Sequence, residues 1–422
     1  MALESIVVHG GRSLHGTVTI SGSKNSALPI LAATLLTRER CVVRNVPNLA
    51  DTRFMVEILQ ELGASAIFDK KAGVVTVEAK KIKSVAPYDL VRKMRASVCV
   101  LGPLLARNRK VKVSVPGGCV IGPRPIDIHL KGLARLGADI RIESGNVIAE
   151  GKNLTGTEMF LGGRYGSTVL GTDNILMAAT LVRGTTVIDS AACEPEVTDL
   201  AAFLTKMGAK ISGAGSPTIT IQGVESLHGA EHTVIPDRIE AGTFMCAAAI
   251  TGGEVVLKNA RADHLGALTD KLEESGVRVE RRGSDILVRR NGSLRPADVI
   301  TMPYPGFPTD LQAQYMVLMT ITPGISVITE KIFPDRFMHV AELGRLGAEI
   351  SMEGASAIVR GKKTLSGAQV MASDLRASAA LVLAGLVCDG QTTVNRVYHI
   401  DRGYERIDQK LRALGARIER KR

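Results

Sequence analysis

The chain has 422 residues, 45% hydrophobic and 23% charged, which excludes disorder and suggests two or three domains of ordinary globular composition. Its longest apolar runs, such as 27–36, are half the ~20 residues of a membrane span. A net charge of +11 points to anionic partners, and with 3% aromatics and no Trp those are small phosphorylated molecules rather than nucleic acid.

The opening, MALESIVVHGG, has neither a basic n-region nor an apolar h-region, so the expected location is the cytoplasm, with no membrane insertion. The pattern IVVHGGRSLHG (6–16) predicts strands. Residues 24–36, KNSALPILAATLL, predict a helix apolar nearly all round, followed by a strand at CVVRNV. An amphipathic helix with Met55, Ile58, Leu59 and Leu62 then stops at Gly63, as a glycine just past the last periodic residue should. A strand, a turn and a second strand complete the unit.

That unit recurs. Helix-ending phrases of the ELGAS type fall at Gly63, Gly137, Gly208, Gly276, Gly347 and Gly415, spaced 68 to 74 residues apart. The sixth unit lacks its last strand, and the segment 6–16 has the missing pattern. The termini therefore belong together, which predicts a continuous α/β domain over 24–234 and a discontinuous one made of 1–23 plus 235–422. Each holds three repeats of about 70 residues, and two connections between the domains allow a hinge. The closing residues Glu419, Arg420, Lys421 and Arg422 read as a solvated tail.

Five further helices, predicted at 91–106, 172–182, 237–251, 309–322 and 374–387, share the small apolar character of 24–36 and should be buried. Asp173, Asp237 and Asp374 in their first turns suit N-capping. Lys24, Arg95 and Arg376 oppose the helix dipole there, and a bound anion would explain them. The join Pro116–Pro125, PGGCVIGPRP, interrupts the regular repeat with glycines, and Cys119 sits in it with Arg124 nearby. This is either an electropositive setting for a thiolate or a flexible loop with an incidental cysteine. The other cysteines, Cys41, Cys99, Cys193, Cys246 and Cys388, make no CxxC pair and read as small core hydrophobes; no metal cluster is expected.

The stretches 21–36, 92–97, 115–138, 236–244, 307–314, 330–343, 374–385 and 398–416 resemble the UDP-N-acetylglucosamine 1-carboxyvinyltransferases, a family of enolpyruvyl transferases. The resemblance spans the whole chain and implies two inside-out α/β domains with the active site in the cleft between them. It also implies transfer of enolpyruvyl from phosphoenolpyruvate to the 3′-hydroxyl of UDP-N-acetylglucosamine, the first committed step of peptidoglycan synthesis, with no cofactor. By motif, Cys119 resembles the family's active-site cysteine, the acid toward the enol methylene and the group that fosfomycin alkylates. Lys24 and Asn25 match the phosphoenolpyruvate-binding pair, and Arg95 an arginine on the nucleotide sugar. Arg124, Pro125, Ile126, Asp127 and Ile128 match the uridine and diphosphate segment. Asp310 matches the base for the sugar hydroxyl, ionised among cations, and Ile332 a backbone contact to the nucleotide sugar. Arg336, Arg376 and Arg402 match arginines of the cleft, Arg402 being the one to meet phosphate or carboxylate.

The sequence departs from the family pattern at 164–172, where Leu170 stands in place of a usual Gly and Arg164 is the candidate to replace a missing Lys. His129 reads as a core or helix-face histidine. The alternatives are the sister enzyme 5-enolpyruvylshikimate-3-phosphate synthase, which does not use a glycine loop with a cysteine, and a silent homologue, opposed by Lys24, Cys119, Asp310 and Arg402 together. The glycine loop is expected to close over bound substrates.

Overall fold

The computed structural model describes residues 4–86, 88–92, 94–115 and 126–421. The expected positions Cys119, Arg124 and Pro125 lie outside the described residues. The chain divides into two compact units, one from the described residues of Met1–Ser21 and Pro236–Arg422, the other from those of Gly22–Cys119 and Pro123–Ile235.

The first repeat shows how local chemistry builds each element. The helix Lys24–Ala33 is capped by Ser23, whose side chain accepts from the Ser26 N–H at 3.3 Å. The strand Arg40–Arg44 then alternates, burying Cys41 and Val43 and exposing Arg40 and Arg44. The helix Ala50–Glu61 buries Met55, Ile58 and Leu59 and ends at Gly63, where φ is +98°. The same glycine in the other five repeats also lies between +87° and +102°, a region open to Gly without steric penalty. Val74–Glu78 lies between Arg40–Arg44 and Ser65–Asp69, antiparallel to both.

Among the described residues, five of the six repeat sheets then take one further strand, parallel, from a neighbouring repeat and the sixth a single parallel bridge, and these additions close a circle in each unit. In the unit built from Gly22–Ile235, Glu158–Phe160 of the second repeat pairs with Thr185–Asp189 of the third. Glu231–Thr233 of the third pairs with Arg40–Arg44 of the first, and Val85 bridges to Lys112 of the second. In the other unit Val299–Ile300 pairs with Ile325–Thr329, Gln369–Met371 with Gln391–Asn395, and His15–Thr19 with Glu254–Lys258. Ser5–His9 lies between Gln391–Asn395 and Arg417–Lys421, the place that Val74–Glu78 holds in the first repeat. The fold is thus inside-out α/β in each unit: sheets outside, apolar helices within.

The inner helices carry the core. From Ile239 to Thr251 the helix Arg238–Thr251 is buried throughout, and it packs with Gln312–Thr320 and Leu375–Gly385. In the other unit Leu101–Asn108 packs on Val169–Ala179, and Lys24–Ala33 on both the latter and the 3-10 turn Arg95–Val100. Cys41, Cys99, Cys246 and Cys388 are buried and Cys193 half-buried, all as free thiols. Burial pushes the Cys246 thiol up to about 12. Among the described residues no helix is long and apolar enough to cross a membrane.

Three expectations need correction. The single helix predicted over 91–106 is instead a short helix Tyr88–Val91, the 3-10 turn Arg95–Val100 and the helix Leu101–Asn108. Pro103 explains the last junction, since its ring clashes with the carbonyl four residues back in a continuous α-helix. Ser97 Oγ also competes for backbone, donating to the carbonyls of Val91 at 2.9 Å and Met94 at 2.6 Å. Second, Asp173 is not a cap: the helix starts at Val169, and Thr168 caps it by accepting from the Gly171 N–H. Third, the tail is no tail, because Arg417–Lys421 is a strand paired along Ser5–His9.

Candidate functional site

In the unit built from Gly22–Ile235, Lys24 is the first residue of its helix and only 7% exposed. Its Nζ lies 3.5 Å from the buried Asp51 carboxylate, so a protein group supplies countercharge at this helix start. Two residues on, Ser26 Oγ donates to Asp199, which also accepts the Ile235 N–H at 3.2 Å and pairs with His232 Nε2 at 2.8 Å. This network fixes the start of the Lys24 helix against the helix Pro195–Lys206 and the strand Glu231–Thr233. Asn25, beside Lys24, is half-buried. Arg95, also half-buried, opens the 3-10 turn, and its charge lies within reach of Cys99, whose thiol burial raises well above the ordinary value.

Ile126 is buried and precedes the helix Asp127–Arg135, Asp127 is exposed in its first turn, and Ile128 is half-buried. A Cβ on Gly163 would stand 2.6 Å from Ile128 Cδ1, so the glycine lets the Ile128 tip pack close to the 163–166 turn. Arg164 is exposed, over the Tyr165 ring at 5.5 Å. His129 is a core histidine as expected: it is 2% exposed and 2.9 Å from the Asn174 amide, which donates to the Val98 carbonyl and accepts from the Gly102 N–H.

Asp173 is the residue that sequence reasoning misplaced. It is 1% exposed and neither carboxyl oxygen has a hydrogen-bond partner. Burial first, then the nearby charges of Glu194 and Glu196, hold this carboxyl well above the usual carboxylate range.

The other unit is denser in charge. Asp310 stands on the 3-10 turn Thr309–Leu311, before the inner helix Gln312–Thr320, with 27% of its side chain exposed. Arg336 Nη1 donates to Asp310 Oδ1 at 2.8 Å, and Arg376 Nε to Oδ2 at 3.1 Å. Arg376 follows the cap Asp374, which accepts its N–H at 2.7 Å. The enclosed Arg376 guanidinium is 5.2 Å from the centre of the buried Tyr404 ring. Burial works against the Arg376 charge, but Tyr404, Asp310 and Asp237 outweigh it and hold the pKa above the ordinary value. Burial and the neighbouring Arg336 keep His339 neutral, down to about 4, against the pull of Asp374.

Glu330, 1% exposed, was not visible as a site residue. Its Oε1 accepts from Thr301 Oγ1 at 2.6 Å and from the N–H groups of Ile332 at 2.8 Å and Phe333 at 3.0 Å. Its Oε2 accepts from Thr309 Oγ1 at 2.8 Å, and Thr309 in turn accepts from Arg336 at 3.0 Å. One buried carboxylate therefore sets both the Ile332 backbone and the turn that carries Asp310. The sequence signal would have been a Glu just ahead of two free N–H groups, the pattern of a side-chain cap. Arg402 ends the 3-10 turn Val397–Arg402 and is half-buried.

The model of the family described as EPSP synthase (3-phosphoshikimate 1-carboxyvinyltransferase) matches residues 8–411. The chain is 58% identical to a UDP-N-acetylglucosamine 1-carboxyvinyltransferase of Methylacidiphilum infernorum and 55% identical to one of Akkermansia muciniphila, each match covering 99% of both chains. Among solved structures it is similar to the enolpyruvyl transferase NikO from Streptomyces tendae, with a TM-score of 0.90 and 28% identity over 99% of each chain. It shares its fold with the EPSP synthase from Acinetobacter baumannii, with a TM-score of 0.76 and 20% identity over the full length of both.

Proposed function

The chain belongs to the UDP-N-acetylglucosamine 1-carboxyvinyltransferase family of enolpyruvyl transferases, and on that premise we propose how its residues share the work. It transfers the enolpyruvyl group of phosphoenolpyruvate to the 3′-hydroxyl of UDP-N-acetylglucosamine and releases phosphate, in peptidoglycan synthesis, in the cytoplasm.

Asp310 takes the proton of the sugar 3′-hydroxyl, whose oxygen bonds to C2 of phosphoenolpyruvate. Cys119 delivers a proton to the C3 methylene, making it a methyl group and leaving a tetrahedral intermediate that still carries phosphate. Loss of a proton from that methyl group, with departure of phosphate from C2, restores the double bond and gives the enol ether. Each proton transfer contributes roughly 10²- to 10⁴-fold. Lys24, Asn25 and Arg402 hold phosphoenolpyruvate. Arg95, Arg124, Pro125, Ile126, Asp127, Ile128 and Ile332 serve the nucleotide sugar, while Arg336 and Arg376 hold the Asp310 carboxylate in place.

The observation that carries this assignment is the seat of Asp310: a carboxylate at the start of an inner helix, clamped from two sides by Arg336 and Arg376. The test is phosphate release from phosphoenolpyruvate with UDP-N-acetylglucosamine or with shikimate-3-phosphate, in wild type and Cys119→Ser. Release that needs the nucleotide sugar, is lost in the variant and is blocked by fosfomycin is the expected result. Release with shikimate-3-phosphate alone would overturn the substrate assignment, and full activity of Cys119→Ser would remove the cysteine from the mechanism.

A further inference from the structure

The strand Arg417–Lys421 places Arg420 opposite Ile6 in the sheet, and its side chain reaches the segment that bears Arg402. Arg420 Nη1 lies 2.8 Å from Asp401 Oδ2 and Nη2 2.7 Å from Asp401 Oδ1, a two-pronged pair with a single geometry. The same guanidinium donates to Glu4 at 3.1 Å and to Asp408 at 3.4 Å. Asp401 directly precedes Arg402, and Asp408 lies in the first turn of the helix Ile407–Ala413. One side chain therefore grips the segment on both sides of Arg402.

Val397, Ile400 and Tyr404 anchor that segment in the core, but its helical turns begin without side-chain caps. The 3-10 turn Val397–Arg402 follows Arg396 and the helix Ile407–Ala413 follows Arg406, both with positive φ and neither giving a side-chain cap. Between the two ties lies Tyr404, whose buried ring faces Arg376. Fixing Asp401 fixes the peptide from which the Arg402 side chain departs, and a long flexible cation gains most from such preorganisation.

We propose that Arg420 is a positioning residue that, through Asp401, aims Arg402 at the anionic end of phosphoenolpyruvate. This rests on the reading of Arg402 as a phosphoenolpyruvate contact. Arg420 touches no substrate itself and acts on one substrate only.

The test compares full-length wild type, Arg420→Ala, Arg402→Ala and the double variant, with KM measured separately for each substrate and melting temperature recorded. Losing the aim of one charge-assisted contact raises the KM for phosphoenolpyruvate about tenfold in Arg420→Ala. The KM for UDP-N-acetylglucosamine stays within about twofold, and Arg420→Ala adds nothing further to the phosphoenolpyruvate KM in the Arg402→Ala background. A purely structural role would lower the melting temperature and the yield of active enzyme without this split between substrates, and would overturn the proposal. So would independent, additive effects in the double variant. If Arg402→Ala raises the phosphoenolpyruvate KM and Arg420→Ala does not, the positioning role fails alone. If Arg402→Ala leaves that KM unchanged, the Arg402 reading fails and takes the proposal with it.

Discussion

The dipeptide Thr-Asp occurs near the start of two inner helices, as Thr172–Asp173 and as Thr309–Asp310, and the two copies have opposite fates. Thr309 shares its hydroxyl between Glu330 and Arg336, and Asp310 is left part-exposed between two guanidinium groups. Thr172 turns back to the Thr168 carbonyl at 2.7 Å and accepts the Ala192 N–H, while Asp173 is enclosed without a partner near Glu194 and Glu196. An aspartate in this position has no fixed role. Its neighbours decide whether it carries a usable negative charge or is forced toward the neutral acid.

The strongest way to break this comparison is Asp310→Asn, which keeps the shape and removes the base. Single-turnover phosphate release should slow by about 100-fold or more, and a change below threefold would make Asp310 no more essential than its counterpart. Glu330→Gln tests the next layer: it replaces one acceptor with a donor and frees either the Thr309 hydroxyl or the 332–333 backbone. The KM for UDP-N-acetylglucosamine should rise roughly three- to tenfold, the equivalent of about one hydrogen bond. An unchanged value would separate Ile332 from nucleotide-sugar binding.

The smallest effect belongs to Asp173. Its folded carboxyl keeps its proton to higher pH than the unfolded chain does, so its contribution to stability is full below the unfolded value near 4 and is lost as pH rises above it. Asp173→Asn should therefore melt higher than wild type at neutral pH, by about 1 to 3 °C. That gain should shrink as pH falls toward 4. A difference independent of pH would mean that Asp173 is ionised in the folded protein.

Much of the fold was legible because it is written locally and six times over. The glycine that ends each amphipathic helix needs positive φ wherever it occurs, and the uniform apolarity of 237–251 requires burial whatever surrounds it. Lys24 and Arg376 stood out as basic residues at helix starts, the roles of Asp310 and Arg336 came from motif resemblance, and the structure adds the partners of all four. Features made by distant contacts stayed hidden. Nothing near Glu330 names Thr301, 29 residues away, as its partner, and Arg420 reads as one more charge in a basic ending until Asp401 is seen opposite it. The break before Leu101 was within reach, since Pro103 disfavours an unbroken helix, but the surrounding apolar pattern outweighed it.

The strand Ser5–His9 has a partner made almost a whole chain later. It pairs with Gln391–Asn395 and Arg417–Lys421, so about 380 residues must be synthesised before its first neighbour exists. At the usual 5–20 residues per second, that is a wait of roughly 20 to 80 s. Meanwhile the unit built from Gly22–Ile235 has all its own strands in hand and can fold while the ribosome is still working. The other unit cannot close its ring until residues 391–421 have been made, which leaves the apolar β-segment Ser5–His9 without its partners for that time and exposed to wrong pairing.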